Sequence, residues 1–343
     1  MSFGIRPNCQ KKLKLEKILF KEMTNLTKFS ELKDKIKGIV VVMVTPFKSN
    51  YEIDEEGVRK LTRYLIDNGV KTGYGVLVPT GSTGESPMLT DEERKKIFKV
   101  VKDEAGNDVP ILGGCNHTDT RTVINLVKYA EEVGLDGVMI SPPYYWKPYE
   151  EMIITHYKAV AKETNLGIMV YNNWFASQID IPVETMVKLV EEVPNIVALK
   201  DNSVIISKLA RMIKVLGDKI SIVNGNGEPH EPYAALMGAK GFVTGEACLI
   251  PKTLLEIYNA ELAGDYRKAL DILNRASTLL DFLLEGEKET DYLVRIKAAM
   301  NLVNLRGGIP RLPILPANEK IIDELRKILN KYDLFESWVG KKI

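Results

Sequence analysis

The chain has 343 residues, 45% hydrophobic and 27% charged, an ordinary balance that supports one large globular domain or two smaller ones. Its 47 basic residues nearly cancel its 46 acidic ones, so nothing in the charge points to nucleic acid or an anionic membrane surface as a partner. Cys9, Cys115 and Cys248 form no disulfide framework, His117, His156 and His230 no metal-ligand spacing, and no apolar run reaches the ~18 residues of a spanning helix; a cytoplasmic protein without a metal is expected.

Residues 1–37 are lysine-rich and lack the apolar core and cleavage site of a secretory signal. Glu16 and Glu22 argue against a transit peptide, and the segment reads as an N-terminal basic extension without a catalytic role. From Gly38 onward, short apolar runs alternate with amphipathic stretches. Eight runs read as strands: Ile39–Val44, Gly75–Val78, Pro110–Leu112, Gly137–Ile140, Gly167–Val170, Ile196–Leu199, Ile220–Val223 and Gly241–Val243. Helices are expected between them, for example Asp54–Asn68, Asp91–Glu104, Thr120–Val133 and Pro182–Glu192, several opening on a cap or a first-turn proline. Eight β-then-α units predict a (β/α)8 TIM barrel over 38–250. A doubly wound open sheet is the alternative, but the first strand runs into Thr45-Pro46-Phe47 rather than a glycine-rich dinucleotide turn. Residues 251–343 read as a C-terminal helical region packed on the barrel, interrupted by Gly307-Gly308-Ile309-Pro310-Arg311-Leu312-Pro313.

Barrel enzymes carry their chemistry at the C-terminal ends of the strands. At those ends stand Thr45, the turn Gly81-Ser82-Thr83-Gly84-Glu85, Asn116, Tyr144-Tyr145, Tyr171-Asn172, Lys200, Asn224-Gly225-Asn226-Gly227-Glu228 and Thr244-Gly245-Glu246. Lys200 closes the run Ile196-Val197-Ala198-Leu199, and apolar surroundings favour its neutral amine, which attacks a ketone to give a Schiff base. In the Gly81–Gly84 turn, two hydroxyls and successive backbone N–H groups suit a carboxylate. Tyr171 and Tyr145 offer phenols that could carry a proton. Taken singly, each feature also has a structural explanation: a solvated lysine, a tight turn, a packing tyrosine.

Together these motifs resemble the dihydrodipicolinate synthase / N-acetylneuraminate lyase superfamily, over residues 38 to about 335. The shared motifs are Thr45-Pro46-Phe47, Gly81–Glu85, Pro143-Tyr144-Tyr145, Tyr171-Asn172, Ile196–Lys200 and Arg311-Leu312-Pro313. The resemblance implies a class I aldolase-type lyase that works through a lysine imine, without metal or other cofactor, on pyruvate or a pyruvoyl-containing 2-oxo acid. It makes Lys200 the imine lysine, Tyr171 the acid/base, and Tyr145 part of a relay through Ser82. It has Ser82 and Thr83 bind the 2-oxo acid carboxylate, Gly225 and Val243 line the pocket, and Tyr144 reach the neighbouring subunit of a homo-oligomer, a dimer or dimer of dimers.

For the reaction itself, the expectation is a 2-keto-3-deoxy sugar acid aldolase. Ala176 stands where lysine-pathway synthases carry a carboxylate-binding arginine, Glu228 matches a sugar-hydroxyl-binding glutamate of sialic-acid lyases, and Tyr144-Tyr145-Trp146-Lys147 resembles aldolases for 2-keto-3-deoxy sugar acids. The alternatives are a 4-hydroxy-tetrahydrodipicolinate (dihydrodipicolinate) synthase, an imine-dependent dehydratase or deaminase, and a non-catalytic 2-oxo acid binder. Trp174 and Phe175 could wall the pocket for an apolar substrate or simply pack in their loop.

Overall fold

The computed structural model describes residues 24–203, 205–284, 286, 288 and 290–331. Among them, eight parallel strands form one sheet: β1 (Gly38–Val42), β2 (Gly75–Val78), β3 (Leu112–Gly114), β4 (Gly137–Ile140), β5 (Gly167–Asn172), β6 (Ile196–Asp201), β7 (Ser221–Asn224) and β8 (Gly241–Thr244). Their order is β2-β1-β8-β7-β6-β5-β4-β3. The remaining gap closes through a parallel bridge between Leu77 and Ile111 and a hydrogen bond from the Gly114 amide to the Pro79 carbonyl (3.0 Å). The sheet is therefore a TIM barrel, as the eight-fold β-then-α beat predicts.

The strands are short apolar runs because both of their faces are covered. On β1, Ile39 and Val41 pack outward under the helices, while Val40 and Val42 point into the barrel. After each strand comes a helix: α2 (Glu55–Asp67), α3 (Asp91–Ala105), α4 (Thr120–Glu132), α5 (Glu150–Ala161), then α6 (Trp174–Ser177) with α7 (Val183–Glu192), α8 (Ile206–Leu216), α9 (Glu231–Met237) and α10 (Pro251–Leu262). Side-chain caps start several of them. Asp54 accepts from the Gly57 amide, Thr90 and Glu93 form a capping box, and Asp119 accepts from the Thr122 amide.

Two expected boundaries move. α10 follows β8 and is the barrel's eighth outer helix, so the added C-terminal helices are α11 (Tyr266–Leu284), α12 (Asp291–Leu302) and α13 (Glu319–Lys331). At the other end, residues 24–35 form a helix, α1, that belongs to the barrel rather than to a loose extension. Its Phe29 and Leu32, with Ile36 just after it, join the interior cluster of Val40, Val76, Leu112, Met169 and Val197. The Leu32 side chain lies under the first residues of β4 and β5, so α1 plugs the end of the barrel at which the strands begin. Residues 1–23 of the predicted extension lie outside the described residues. Among the described residues no helix is long and apolar enough to cross a membrane.

Candidate active site

An irregularity in β6 aims the lysine. Ile168 of β5 pairs with Ile196, but Met169 pairs with Ala198, so the register skips a residue at Val197. A one-residue slip reverses which side chains face inward. Val197 and Ala198 consequently both lie in the barrel interior, and Leu199 turns to the outer layer. Strand alternation then directs Lys200 inward, directly beside its register partner Tyr171. Without the skip, Lys200 would face the helices.

Lys200 is 4% exposed, and its Nζ sits 3.7 Å from the centroid of the Tyr171 ring. No carboxylate among the described residues offsets its burial, and desolvation lowers its pKa from 10.5 to about 7. Tyr171 is buried as well. Burial raises its pKa, the nearby Tyr292 phenol adds to that, and Ser82, within hydrogen-bonding reach, partly opposes it. Lys200, Tyr171 and Ser82 thus stand together.

The hydroxyl-rich turn is pinned from three sides. The Thr45 hydroxyl donates to the Gly84 carbonyl (2.7 Å), and the Thr80 hydroxyl to the Gly114 carbonyl (2.9 Å). Glu85, with a left-handed φ of 57°, points away from the site to meet Lys297 of α12, and its other oxygen accepts from the Arg311 amide (2.8 Å). Arg311 in turn makes two 2.8 Å hydrogen bonds to Glu93, and both Lys297 and Arg311 lie over the Phe47 ring. The Glu of the Gly-Ser-Thr-Gly-Glu motif and the Arg-Leu-Pro signature therefore form one clamp.

Asn172 bolts the floor next to Tyr171. Its amide donates to Asp201 (2.6 Å) and Asp180 (2.7 Å), and its carbonyl oxygen accepts from the Ile181 amide (2.9 Å). Gly225 lies at the end of β7, where a Cβ would stand 2.2 Å from the Asn202 side-chain oxygen; only glycine fits there. Val243 lines the barrel interior.

Three predicted residues sit differently from expectation. Tyr145 is not brought to Ser82 within this chain: it is 75% exposed, at a φ of 88°, with Gln178 donating to its carbonyl (2.9 Å). Tyr144 is half-buried near the Arg94 guanidinium of its own chain, so of the two tyrosines it is Tyr145 that is the outward-facing one. Glu228 is fully buried against Glu246 rather than presented to the open mouth.

One residue escapes the motifs altogether. Tyr292 of α12 lies within hydrogen-bonding reach of Thr83, and burial pushes its pKa up to about 12. A tyrosine some two hundred residues from that turn, on an added helix, carries no strand-end signal; only the packing of α12 reveals it.

A barrel whose mouth gathers a desolvated lysine, a buried tyrosine and a hydroxyl-rich turn defines a lyase of the class I aldolase type. A model of the dihydrodipicolinate synthetase family matches residues 35–332, and the chain belongs to that family. The 4-hydroxy-tetrahydrodipicolinate synthase of Desulforamulus reducens is 34% identical over 296 residues, 86% of this chain and 97% of that protein. The synthase of the same name from Methanocaldococcus jannaschii is also 34% identical, over 85% and 98%. Among solved structures, dihydrodipicolinate synthase from Aquifex aeolicus superposes with a TM-score of 0.81 at 30% identity, covering 87% of this chain and 99% of that one. A monomeric dihydrodipicolinate synthase variant gives a TM-score of 0.80 at 28% identity, over 87% and 97%.

Proposed function

We propose that the protein makes or breaks a carbon–carbon bond beside a pyruvoyl unit, through an imine on Lys200. The observation that carries this reading is the inward-facing, desolvated amine of Lys200 against the Tyr171 ring. The neutral amine adds to the C2 carbonyl of a 2-oxo acid whose carboxylate lies on the Ser82-Thr83 turn. Tyr171 delivers the proton with which the carbinolamine oxygen leaves as water. The resulting iminium draws electrons from C3, a C3 proton departs, and the enamine carbon attacks an aldehyde; the reverse sequence cleaves the bond. No step calls on a metal or other cofactor.

Of the acceptor readings, 4-hydroxy-tetrahydrodipicolinate synthase is supported by the names of the relatives. The keto-deoxy sugar acid reading, which rested on Tyr144-Tyr145-Trp146-Lys147, has no such support from the relatives' names, and the sugar-binding match of Glu228 weakens because that side chain is enclosed with Glu246. A second reading rests on α6: Trp174 and Phe175 immediately precede Ala176, the position at which lysine-pathway synthases carry a carboxylate-binding arginine, and each is 43% exposed. That wall suits an acceptor with an apolar end. The exposed Tyr145 and Trp146 edge is the face we assign to a second copy of the chain.

The test is borohydride reduction of the protein with pyruvate, followed by peptide mapping. A pyruvate adduct on the Lys200 peptide, absent from Lys200→Ala, is expected; a folded protein that gives no adduct overturns the reading. Turnover with aspartate semialdehyde, a 2-keto-3-deoxy sugar acid and an apolar aldehyde then separates the acceptors.

A further inference from the structure

Between α12, α13 and the strap that joins them, residues 303–318, lies a pocket of about 270 Å³ that the mechanism does not use. Its walls are apolar: Val294, Ala298 and Leu302 from α12, Ile309 and Pro310 from the strap, and Ile322 from α13. Asn301 also lines it, but its side chain is engaged by the strap. Its amide donates to the Gly308 carbonyl (3.0 Å), and its carbonyl oxygen accepts from the Gly307 and Gly308 amides (3.0 and 3.1 Å). Two cations complete the lining, Lys297 and Arg326, and no acidic side chain among the described residues belongs to it.

The two cations differ. Lys297 is 1% exposed, and Glu85 meets its charge. The Arg326 side chain is 54% exposed, and its 3.0 Å hydrogen bond runs to Asp323 of the same helix, itself 61% exposed. A surface pair of this kind is weak, and a guanidinium has further donors, in a fork that suits a carboxylate. An apolar hollow edged by such a guanidinium fits an anion with an apolar body. A cavity of ~150 Å³ takes benzene, so this one has room for about ten non-hydrogen atoms.

The pocket is backed by the clamp on the substrate turn. Lys297 donates to the Ile309 carbonyl (2.8 Å) as well as to Glu85, and the Arg311 amide donates to the other Glu85 oxygen (2.8 Å). Gly308 lies so close to Phe47 that a Cβ would stand 2.5 Å from the Phe47 amide nitrogen. Lys297, Gly308 and Ile309 therefore both line the pocket and belong to the packing that holds the Gly81–Glu85 turn.

We propose that this pocket is an effector site for a small monocarboxylate with an apolar body. The carboxylate lies on Arg326 and the body between α12 and the strap. The walls are the residues that hold Glu85, so a ligand that fills the hollow favours the arrangement in which the turn is fixed. Occupation therefore tightens binding of a carboxylate on the Ser82-Thr83 turn. This coupling rests on the reading that the turn receives a 2-oxo acid; the site itself does not.

The test is isothermal titration calorimetry of the intact protein with 3-phenylpropanoate, and with 3-phenylpropan-1-ol as the uncharged control. The acid should bind at least about tenfold more tightly than the alcohol. Arg326→Gln, at the surface, should remove that preference. Ala317→Phe, which fills the pocket from the half-buried strap, should abolish binding of both. With the acid saturating, pyruvate should bind at least about fivefold more tightly, and saturating pyruvate should tighten the acid by the same factor. No binding, binding that both variants leave intact, an unchanged pyruvate affinity, or competition with pyruvate overturns the proposal. So does a change of oligomeric state in sedimentation without a change in pyruvate affinity, which gives the pocket to a second copy of the chain. Binding that responds to both variants in a protein that takes no pyruvate defeats the substrate reading and the coupling, and leaves the site established.

Discussion

At Lys200 an amine is buried where it can be neutral at ordinary pH, and this has a consequence for stability. Unfolded, it titrates near 10.5; folded, near 7. Between those values the folded chain holds fewer protons than the unfolded one, so the lysine's contribution to stability rises with pH across that window. Below about pH 7 its full desolvation penalty applies. Lys200→Met should therefore be more stable than the wild type near neutral pH, and the gap should close as pH approaches 10.5. Urea unfolding midpoints at several pH values test this; a gap independent of pH would mean that Lys200 is not desolvated. Glu261 has the opposite sign. Burial raises its pKa from 4.5 to about 8, so it destabilises the fold progressively as pH rises through that interval. Lys200 was legible because a charged residue directly after four apolar ones is conspicuous. The orientation of its side chain was not, since the skip at Val197 is a property of how two strands pair and leaves no mark on periodicity.

At the level of elements, the sequence shows that the Gly81–Glu85 turn must be special, but not what holds it. The holder is α12, an element assigned to an appendage. Lys297 is 1% exposed and offers its ammonium to Glu85 and to the Ile309 carbonyl (2.8 Å). Burial lowers its pKa to about 8 even though Glu85 works the other way, so the pair is held at the expense of desolvation. Removing one partner leaves a bare charge in the interior. Lys297→Met should cost about 3–5 kcal/mol in chemical denaturation. Adding Glu85→Gln to it should recover part of that loss, because the orphaned carboxylate disappears. If the single variant unfolds at the wild-type midpoint, α12 is not what fixes the turn. The same helix brings Tyr292, so its packing decides both the shape of the Gly81–Glu85 turn and the residue behind it. Strand-end reasoning finds the residues on the barrel's own loops; it is blind to an added helix that reaches over the mouth.

On the scale of the whole molecule, catalytic and structural ends are separated along the barrel axis. The eight-fold beat of strands and helices made the barrel legible, because short apolar runs and capped amphipathic helices are local features. The plug was not: α1 is a lysine-rich segment whose apolar residues are few, and the family match begins only at residue 35. Phe29 and Leu32 nonetheless fill the end of the barrel that β4 and β5 leave open. Polar contacts fasten the segment further, the Asn25 amide to the Asn165 side chain (2.9 Å) and the Ser221 hydroxyl to the Ile36 carbonyl (2.5 Å). Fully burying a large apolar side chain contributes about 1.5–3 kcal/mol, so deleting residues 1–35 should remove roughly 3–6 kcal/mol through Phe29 and Leu32 alone. The exposed interior of Val40, Leu112 and Val197 should also make the truncated protein prone to associate. Because the mouth lies at the far end, the fraction that remains folded should still trap pyruvate on Lys200 at the wild-type level. Leu32→Ala gives a milder version, with a loss of about 2–5 kcal/mol and no effect on trapping. An unchanged urea midpoint in both variants would show that α1 rests on the barrel without supporting it. Loss of trapping at full stability would instead tie the plug to the chemistry, through the interior cluster that Phe29 and Leu32 share with Tyr171.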